Sequence, residues 1–215
     1  VPKRPGEPSS IKHVVYIIKE NRTYDQIFGD LEQGNGDKRL CVFPREYTPN
    51  LHSLAEEFVL LDNYYCNGVV SADGHSWETE GITTDHLEKS FGGFSRSYTF
   101  GDDPLTFASS GFIWDGILAA GKSFRNYGEF NTTEFIAKTK FTDLWRQYSA
   151  DKTIPKVIHF IGLRTVKERT CMDTVGWNLG IPDQFRADVF IRELQAAEAG
   201  GEWPSFMTLY LPNDH

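Results

Sequence analysis

The chain has 215 residues, a net charge of -8, 40% hydrophobic and 24% charged residues, which is enough to bury one sizeable core. Such an acidic balance argues against a general phosphate-backbone binder, and so against nucleic acid as a partner. It leaves room for a small phosphate-bearing substrate, because a bound cation reverses the local field.

No apolar run approaches the ~20 residues that a membrane span needs. Three cysteines, Cys41, Cys66 and Cys171, are too few and too scattered for a disulfide framework or a thiolate zinc site.

Residues 1–10, VPKRPGEPSS, read as a Pro-rich linker, and residues 11–215 as one domain. The run HVVYIIK, His13–Lys19, is β-branched, aromatic and almost wholly apolar, which predicts a central parallel strand covered on both faces. A turn-rich loop follows, GNGDKRLCVFPREY. Thr48 and Pro49 then open a helix with Leu51, Leu54, Ala55 and Phe58 at helical spacing. FVLLDNYYC, Phe58–Cys66, predicts a second strand, so that strand, helix and strand would form a right-handed βαβ unit. Functional groups of such sheets gather at the carboxyl ends of the strands, where KENRTYD and CNGVVSADGHSW fall.

SWETEGITTDHLEK predicts helix, and the Gly, Ser and aromatic residues of SFGGFSRSYTFGDDPLTFASSG a pocket-shaping loop. FIWDGILAAGKSFRNYGEF reads as a helix with Ile113, Ile117 and Leu118 inward, a Gly stop and a short strand. IPKVIHFIGLRT gives a strand that leads into an irregular excursion. The last segment gives a helix carrying Phe190 and Leu194, a Gly-Gly stop and the strand FMTLYL. Both ends read as those of a piece of a longer chain.

Three clusters carry chemistry. Glu20, directly after the first strand, reads either as an acid at the start of the next helix or as a metal-ligating carboxylate, with Asn21 offering an amide to an anion. Arg22 and Asp25 read as caps. Ser71 lies in a Gly/Asp turn before a predicted helix, where main-chain N–H groups stabilise an anionic oxygen. An isolated Ser there is ordinarily a cap, but Asp73 and His75 keep it company. Asp214 and His215 end the last strand with oxygen and imidazole donors of the kind that hold zinc or manganese. His13, His52, His86 and His159 read as structural or surface residues, the sequons at Asn21 and Asn131 as chance, and the five tryptophans as core and pocket wall.

The run TPNLHSLAEEFVLLDNYYCNGVVS resembles the segment by which members of the alkaline phosphatase superfamily, sulfatases and nucleotide phosphodiesterases among them, approach their nucleophile; CNGVV separates Tyr65 from the nucleophile position, Ser71. HVVYIIKENRTYDQIFG resembles the signature of the phosphoesterase family of non-specific phospholipases C and bacterial acid phosphatases. SADGHSW and LPNDH resemble stretches of bacterial domains that follow a β-propeller. The resemblance covers most of residues 11–100 and 180–215.

It implies an α/β fold, a mostly parallel central sheet with helices on both faces, alkaline phosphatase-like and incomplete at its C-terminal end. It also implies a metal-dependent hydrolase of phosphoric esters. Ser71 would be nucleophile and metal-bound; Glu20, Asp214 and His215 would ligate metal; Asn21 and His75 would contact substrate. The cofactors would be two divalent cations, zinc or manganese, with the second site incomplete because no later acid-and-His cluster follows His215.

The partners implied are a small phosphorylated substrate or phospholipid head group and an N-terminal β-propeller, in a periplasmic or secreted setting. Two alternatives stay open. One is a non-catalytic binding module; the other is a sulfatase or phosphotransferase, the sulfatase weakened by the absence of a Cys/Ser-x-Pro-x-Arg run in SADGH.

Overall fold

Two strand-forming runs at opposite ends of the chain, VVYIIK and FMTLYL, lie side by side in the computed structural model, which describes residues 2–4, 6–90 and 99–213. They pair in parallel from Val14 beside Phe206 to Lys19 beside Leu211. FRNY pairs in parallel along the other edge of FMTLYL, Phe124 beside Phe206 and Tyr127 beside Leu209.

In chain order the elements are β1 (Val14–Lys19), α1 (Tyr24–Phe28), α2 (Pro49–Glu57), α3 (Ser71–Glu80), α4 (Asp85–Ser90), α5 (Ile113–Ala119), β2 (Phe124–Tyr127), β3 (Thr132–Phe135), α6 (Phe141–Asp151), β4 (Val157–Phe160), α7 (Arg164–Lys167), α8 (Asp183–Gly200) and β5 (Phe206–Leu211). The sheet runs β1-β5-β2, and β3 and β4 form a separate antiparallel pair. By contacts the chain divides into one unit of Val1–Lys19 with Gly68–Asn213 and another of Glu20–Asn67. No helix among the described residues is long and apolar enough to cross a membrane.

In the first unit β5 is buried almost end to end, and its alternation feeds two cores. Met207 and Leu209 pack with Leu144 and Tyr148 of α6 and with Phe185, Val189 and Phe190 of α8. On the opposite face Phe206 packs with Trp114 of α5, Phe124 of β2 and Val166 of α7. Trp114, with no exposure, is sandwiched between Phe112 and Phe124 at ring-centroid distances of 4.8 and 5.4 Å. This is the expected mixed α/β organisation around a parallel sheet.

Two expectations about strands fail. β1 is an edge strand rather than a central one, and Val14, Val15 and Ile17 are exposed. Val15 and Ile17 stand beside Met207 and Leu209, but the helices of that face cover β5 and leave them open. An apolar run signals a wish for burial without saying on which side neighbours will stand.

Phe58–Cys66 forms no strand, so the βαβ unit expected over residues 13–66 is not built. Asp62 and Asn63 take a turn in the middle of that run, and Phe58, Val59, Leu61, Tyr64 and Tyr65 are exposed. Strand propensity cannot make a strand where no ladder partner supplies its hydrogen bonds.

Helix faces shift similarly. Trp114 takes the inward position on α5 and Ile113 is exposed, while Ile117 and Leu118 pack partly. On α8, Phe190 and Leu194 face the core as expected, and Gly201 ends the helix at φ +79°. β3 and α6 are elements beyond those the sequence predicts, although Leu144 and Tyr148 carry an i, i+4 signal.

In the second unit α1 is capped by Thr23, whose Oγ1 accepts the Gln26 N–H at 3.3 Å while Gln26 Oε1 accepts the Thr23 N–H at 3.0 Å. That box displaces the capping roles expected of Arg22, Asp25 or Glu20. Arg22 instead lies over the Phe43 ring at 5.2 Å, and Asp25 accepts the Asp37 N–H at 2.6 Å.

Pro49 opens α2 as expected, but the inward side chains are His52 and Ala55 rather than Leu54. His52 is structural: Nε2 bonds Asp30 Oδ1 at 2.8 Å and Nδ1 bonds the Thr48 carbonyl at 2.9 Å. Burial pushes the Asp30 carboxyl up, yet bonds from the Arg45 N–H, His52 and Cys41 outweigh this and hold it at about 2.

The latch between β2 and α8 in the first unit gives a pH prediction. Glu193 accepts from Arg125 Nη2 and Nε at 2.5 and 3.0 Å, from Tyr127 Oη at 2.8 Å and from Cys171 Sγ at 3.0 Å. Burial raises its carboxyl, but these bonds prevail and lower it to about 2. A carboxyl depressed in the fold contributes stability above its unfolded value of about 4.3 and loses it as pH falls through the folded value. Urea denaturation should therefore show stability declining between about pH 5 and pH 2. Glu193→Gln should flatten that limb and cost about 1–3 kcal/mol at neutral pH.

Candidate active site

Ser71 is the first residue of α3, and the chain reaches it through a turn that tolerates no side chain at one point. A Cβ on Gly68 would lie 2.4 Å from the Gly74 nitrogen and 2.8 Å from its Cα, so the incoming strand of chain rides directly on the first turn of the helix. Asp73 holds that approach, its Oδ2 accepting the Val69 N–H at 3.3 Å. Burial raises the Asp73 carboxyl despite the bonds it takes from the Val69 and Val70 amides, and its Oδ1 is buried with no partner among the described residues.

The cap position belongs to Val70, which gives no side-chain bond. Ser71 is therefore not the cap that an isolated turn serine would ordinarily be. It is half-buried at the mouth of a ten-residue helix, where first-turn amides lack intrahelical partners.

One helical turn further on, His75 lies on the same face as Ser71. It is 4% exposed and ringed by Phe100, Tyr210 and Phe130 at centroid distances of 4.8, 5.4 and 6.1 Å. Its Nδ1 is 2.7 Å from Oε1 of Glu129, which has no exposure at all. A carboxylate can only accept, so Nδ1 carries the hydrogen of this bond.

Glu129 stands just past the carboxyl end of β2, after Gly128 at φ +102° and before Phe130 at φ +49°. Asn126 clamps it on both sides: Oδ1 accepts the Glu129 N–H at 3.2 Å, and Nδ2 donates to the Glu129 carbonyl at 2.9 Å. Thr208 of β5 donates to the same Asn126 Oδ1 at 2.6 Å. A line of buried polar groups thus runs from the middle of the sheet through Asn126 and Glu129 to His75.

Sequence reasoning missed Glu129, which it read as the tail of NYGEF. The rule that function gathers at the carboxyl ends of parallel strands, applied to FRNY, would have found it.

Of the predicted site residues, the structure brings Ser71 and His75 together on α3. Glu20 and Asn21 belong to the second unit. Glu20 is half-buried just beyond the end of β1 and does not cap α1. Asn21 adopts φ +64°, a left-handed conformation that asparagine tolerates better than most residues, and its carbonyl accepts from Arg22 Nη1 at 2.7 Å. Asp214 and His215 lie outside the described residues.

Among the described residues no group of three or more His, Cys, Asp and Glu is arranged to hold a metal ion. Asn131 of the second sequon is fully buried, its Nδ2 3.1 Å from His159 Nδ1. His86 faces Asp103 at 3.4 Å and His13 bonds the Pro204 carbonyl at 2.9 Å, both outside the cluster.

Compared with protein-family models, curated proteins and solved structures, the chain matches none of them.

The turn before Ser71 can be tested directly. Gly68→Ala forces a methyl into backbone that cannot yield and should lower stability by about 1–3 kcal/mol in urea denaturation. Gly116→Ala, within α5 with nothing within 4 Å of the added carbon, should raise it by up to about 1 kcal/mol.

Proposed function

We propose that this chain is a metal-dependent hydrolase of phosphoric esters on an alkaline phosphatase-like fold, with Ser71 as nucleophile. The observation that carries the reading is the state of Ser71. It opens α3 without serving as its cap, in a turn tightened by Gly68 and Asp73, one helical turn from a buried His75 that Glu129 holds. The resemblance of residues 11–100 to phosphoesterases adds to it. The three-stranded parallel sheet is compatible with such a fold.

In this reading the Ser71 hydroxyl attacks phosphorus in line; the Oγ–P bond forms as the bond to the leaving oxygen breaks, and water then hydrolyses the phosphoseryl ester. Main-chain N–H groups at the start of α3 face the charge that builds on the equatorial oxygens, and the Asn21 amide contacts the phosphoryl group. His75 contributes to substrate contact from within its aromatic surround.

Glu20, Ser71, Asp214 and His215 would hold the divalent cations, zinc or manganese. As a set, two carboxylates, a hydroxyl and an imidazole suit such ions. When bound, the cations ease deprotonation of the serine and neutralise charge on the leaving oxygen. The substrate is a small phosphorylated molecule or a phospholipid head group, met in the periplasm or outside the cell.

The test is hydrolysis of p-nitrophenyl phosphate and its diester analogue with zinc or manganese. Turnover should depend on the ion and disappear with a chelator, and Ser71→Ala should lose roughly a thousandfold or more. Full metal-dependent activity in Ser71→Ala overturns the nucleophile. No turnover by the folded protein with either ion or ester favours a binding module derived from the fold, and turnover of p-nitrophenyl sulfate alone favours a sulfatase.

A further inference from the structure

Glu129 and His75 form a buried pair whose cost the core does not explain. Glu129 has no exposure, one of its carboxylate oxygens binds His75 Nδ1 at 2.7 Å, and the other, Oε2, is buried without a hydrogen-bond partner among the described residues. A purely structural core would fill this space with an apolar side chain, because a carboxylate deprived of water and half satisfied is unfavourable.

The surroundings hold the pair rigidly. Asn126 fixes the Glu129 main chain from both sides, Thr208 fixes Asn126, and Phe100, Phe130 and Tyr210 pack around the imidazole. Such framing is wasted on a group with nothing to aim. The imidazole hangs from the same helical face as Ser71, one turn toward the C-terminus, and side chains on a helix lean toward its N-terminal end, which here is the Ser71 turn.

We propose that Glu129 is a positioning residue for the Ser71 site: by accepting the Nδ1 hydrogen of His75 it fixes the ring's tautomer and orientation on the face of α3 that carries Ser71. The inference rests on the hydrolase reading above and adds a residue to it. Glu129 touches neither substrate nor reacting atoms; it acts through His75.

The experiment measures kcat and KM for p-nitrophenyl phosphate, with the divalent ion supplied, in the parent chain, Glu129→Gln and Ser71→Ala. Glutamine keeps the shape and an accepting oxygen but not the charge. Glu129→Gln should lower kcat about tenfold to a hundredfold with KM within about twofold, while circular dichroism and the urea midpoint report an intact fold. Proton NMR of the parent chain should show a downfield imidazole N–H resonance, assigned by its loss in His75→Asn and shifted in Glu129→Gln.

Unchanged kcat in Glu129→Gln, alongside an inactive Ser71→Ala, overturns the positioning role and leaves the hydrolase reading standing. A fall in kcat that only tracks loss of folded protein also overturns it. Should Glu129→Gln not fold, the parent spectrum decides: absence of the downfield resonance removes the hydrogen bond on which the inference depends. Full activity in Ser71→Ala is a separate result that overturns the hydrolase reading itself.

Discussion

A carboxylate with no access to water, Glu129, is the constraint around which the first unit is arranged. Its bond to His75, at 2.7 Å, is short enough to be strong, and its main chain is tied to Asn126, which is tied in turn to Thr208 in the middle of β5. Buried polar groups are tolerated only when their partners are placed accurately. The sheet therefore has to deliver Asn126 and Thr208 side by side, which the parallel register of β2 and β5 does directly. Once that register is set, the position of His75 follows, and with it the start of α3.

The aromatic packing of the first unit serves the same end. Phe112, Trp114, Phe124 and Phe130 interlock on one face of the sheet, and Phe130 is also a neighbour of His75. Rings of this size bury much area and hold few rotamers, so they form a stiff wall. Gly128 lets the chain turn from β2 into this wall: at φ +102° it passes the Val175 carbonyl, where a Cβ would lie at 2.7 Å. A less rigid wall would leave the imidazole free to rotate away from its carboxylate.

How much of this was legible in the sequence depends on whether the signal was local. β1, β5, α8 with its glycine stop and the proline-led α2 rest on periodicity and capping chemistry within a few residues, and all are present; the single helix expected over Ser76–Lys89 is instead divided at Gly81 into α3 and α4, and the turn expected at Ser71 is the first turn of α3. The strand expected over Phe58–Cys66 depended on a neighbour, and composition cannot report one; the Asp62–Asn63 turn was a local warning against it. The central placement of β1 failed for the same reason. At the site, Ser71 and His75 could be read because they share one short motif, whereas Glu129 lies 54 residues from His75 and meets it only through the fold. Capping of α1 by Thr23 and Gln26 was a readable box that the charges beside it obscured.

The charge of the chain sharpens what the site must do. With a net charge of -8 the protein repels anions at long range, so in the proposed reading recognition of a phosphoric ester has to come from groups acting within a few ångströms. In the first unit, helix-start amides and an imidazole held by a carboxylate are donors of that kind, and each works better where water is excluded. Two buried acids of the first unit, Asp73 and Glu129, have structural tasks: one clamps the turn before Ser71 and the other holds His75. In the proposed reading, carboxylates that would otherwise oppose a phosphate build the frame that presents the serine, and an acidic chain is compatible with an anionic substrate.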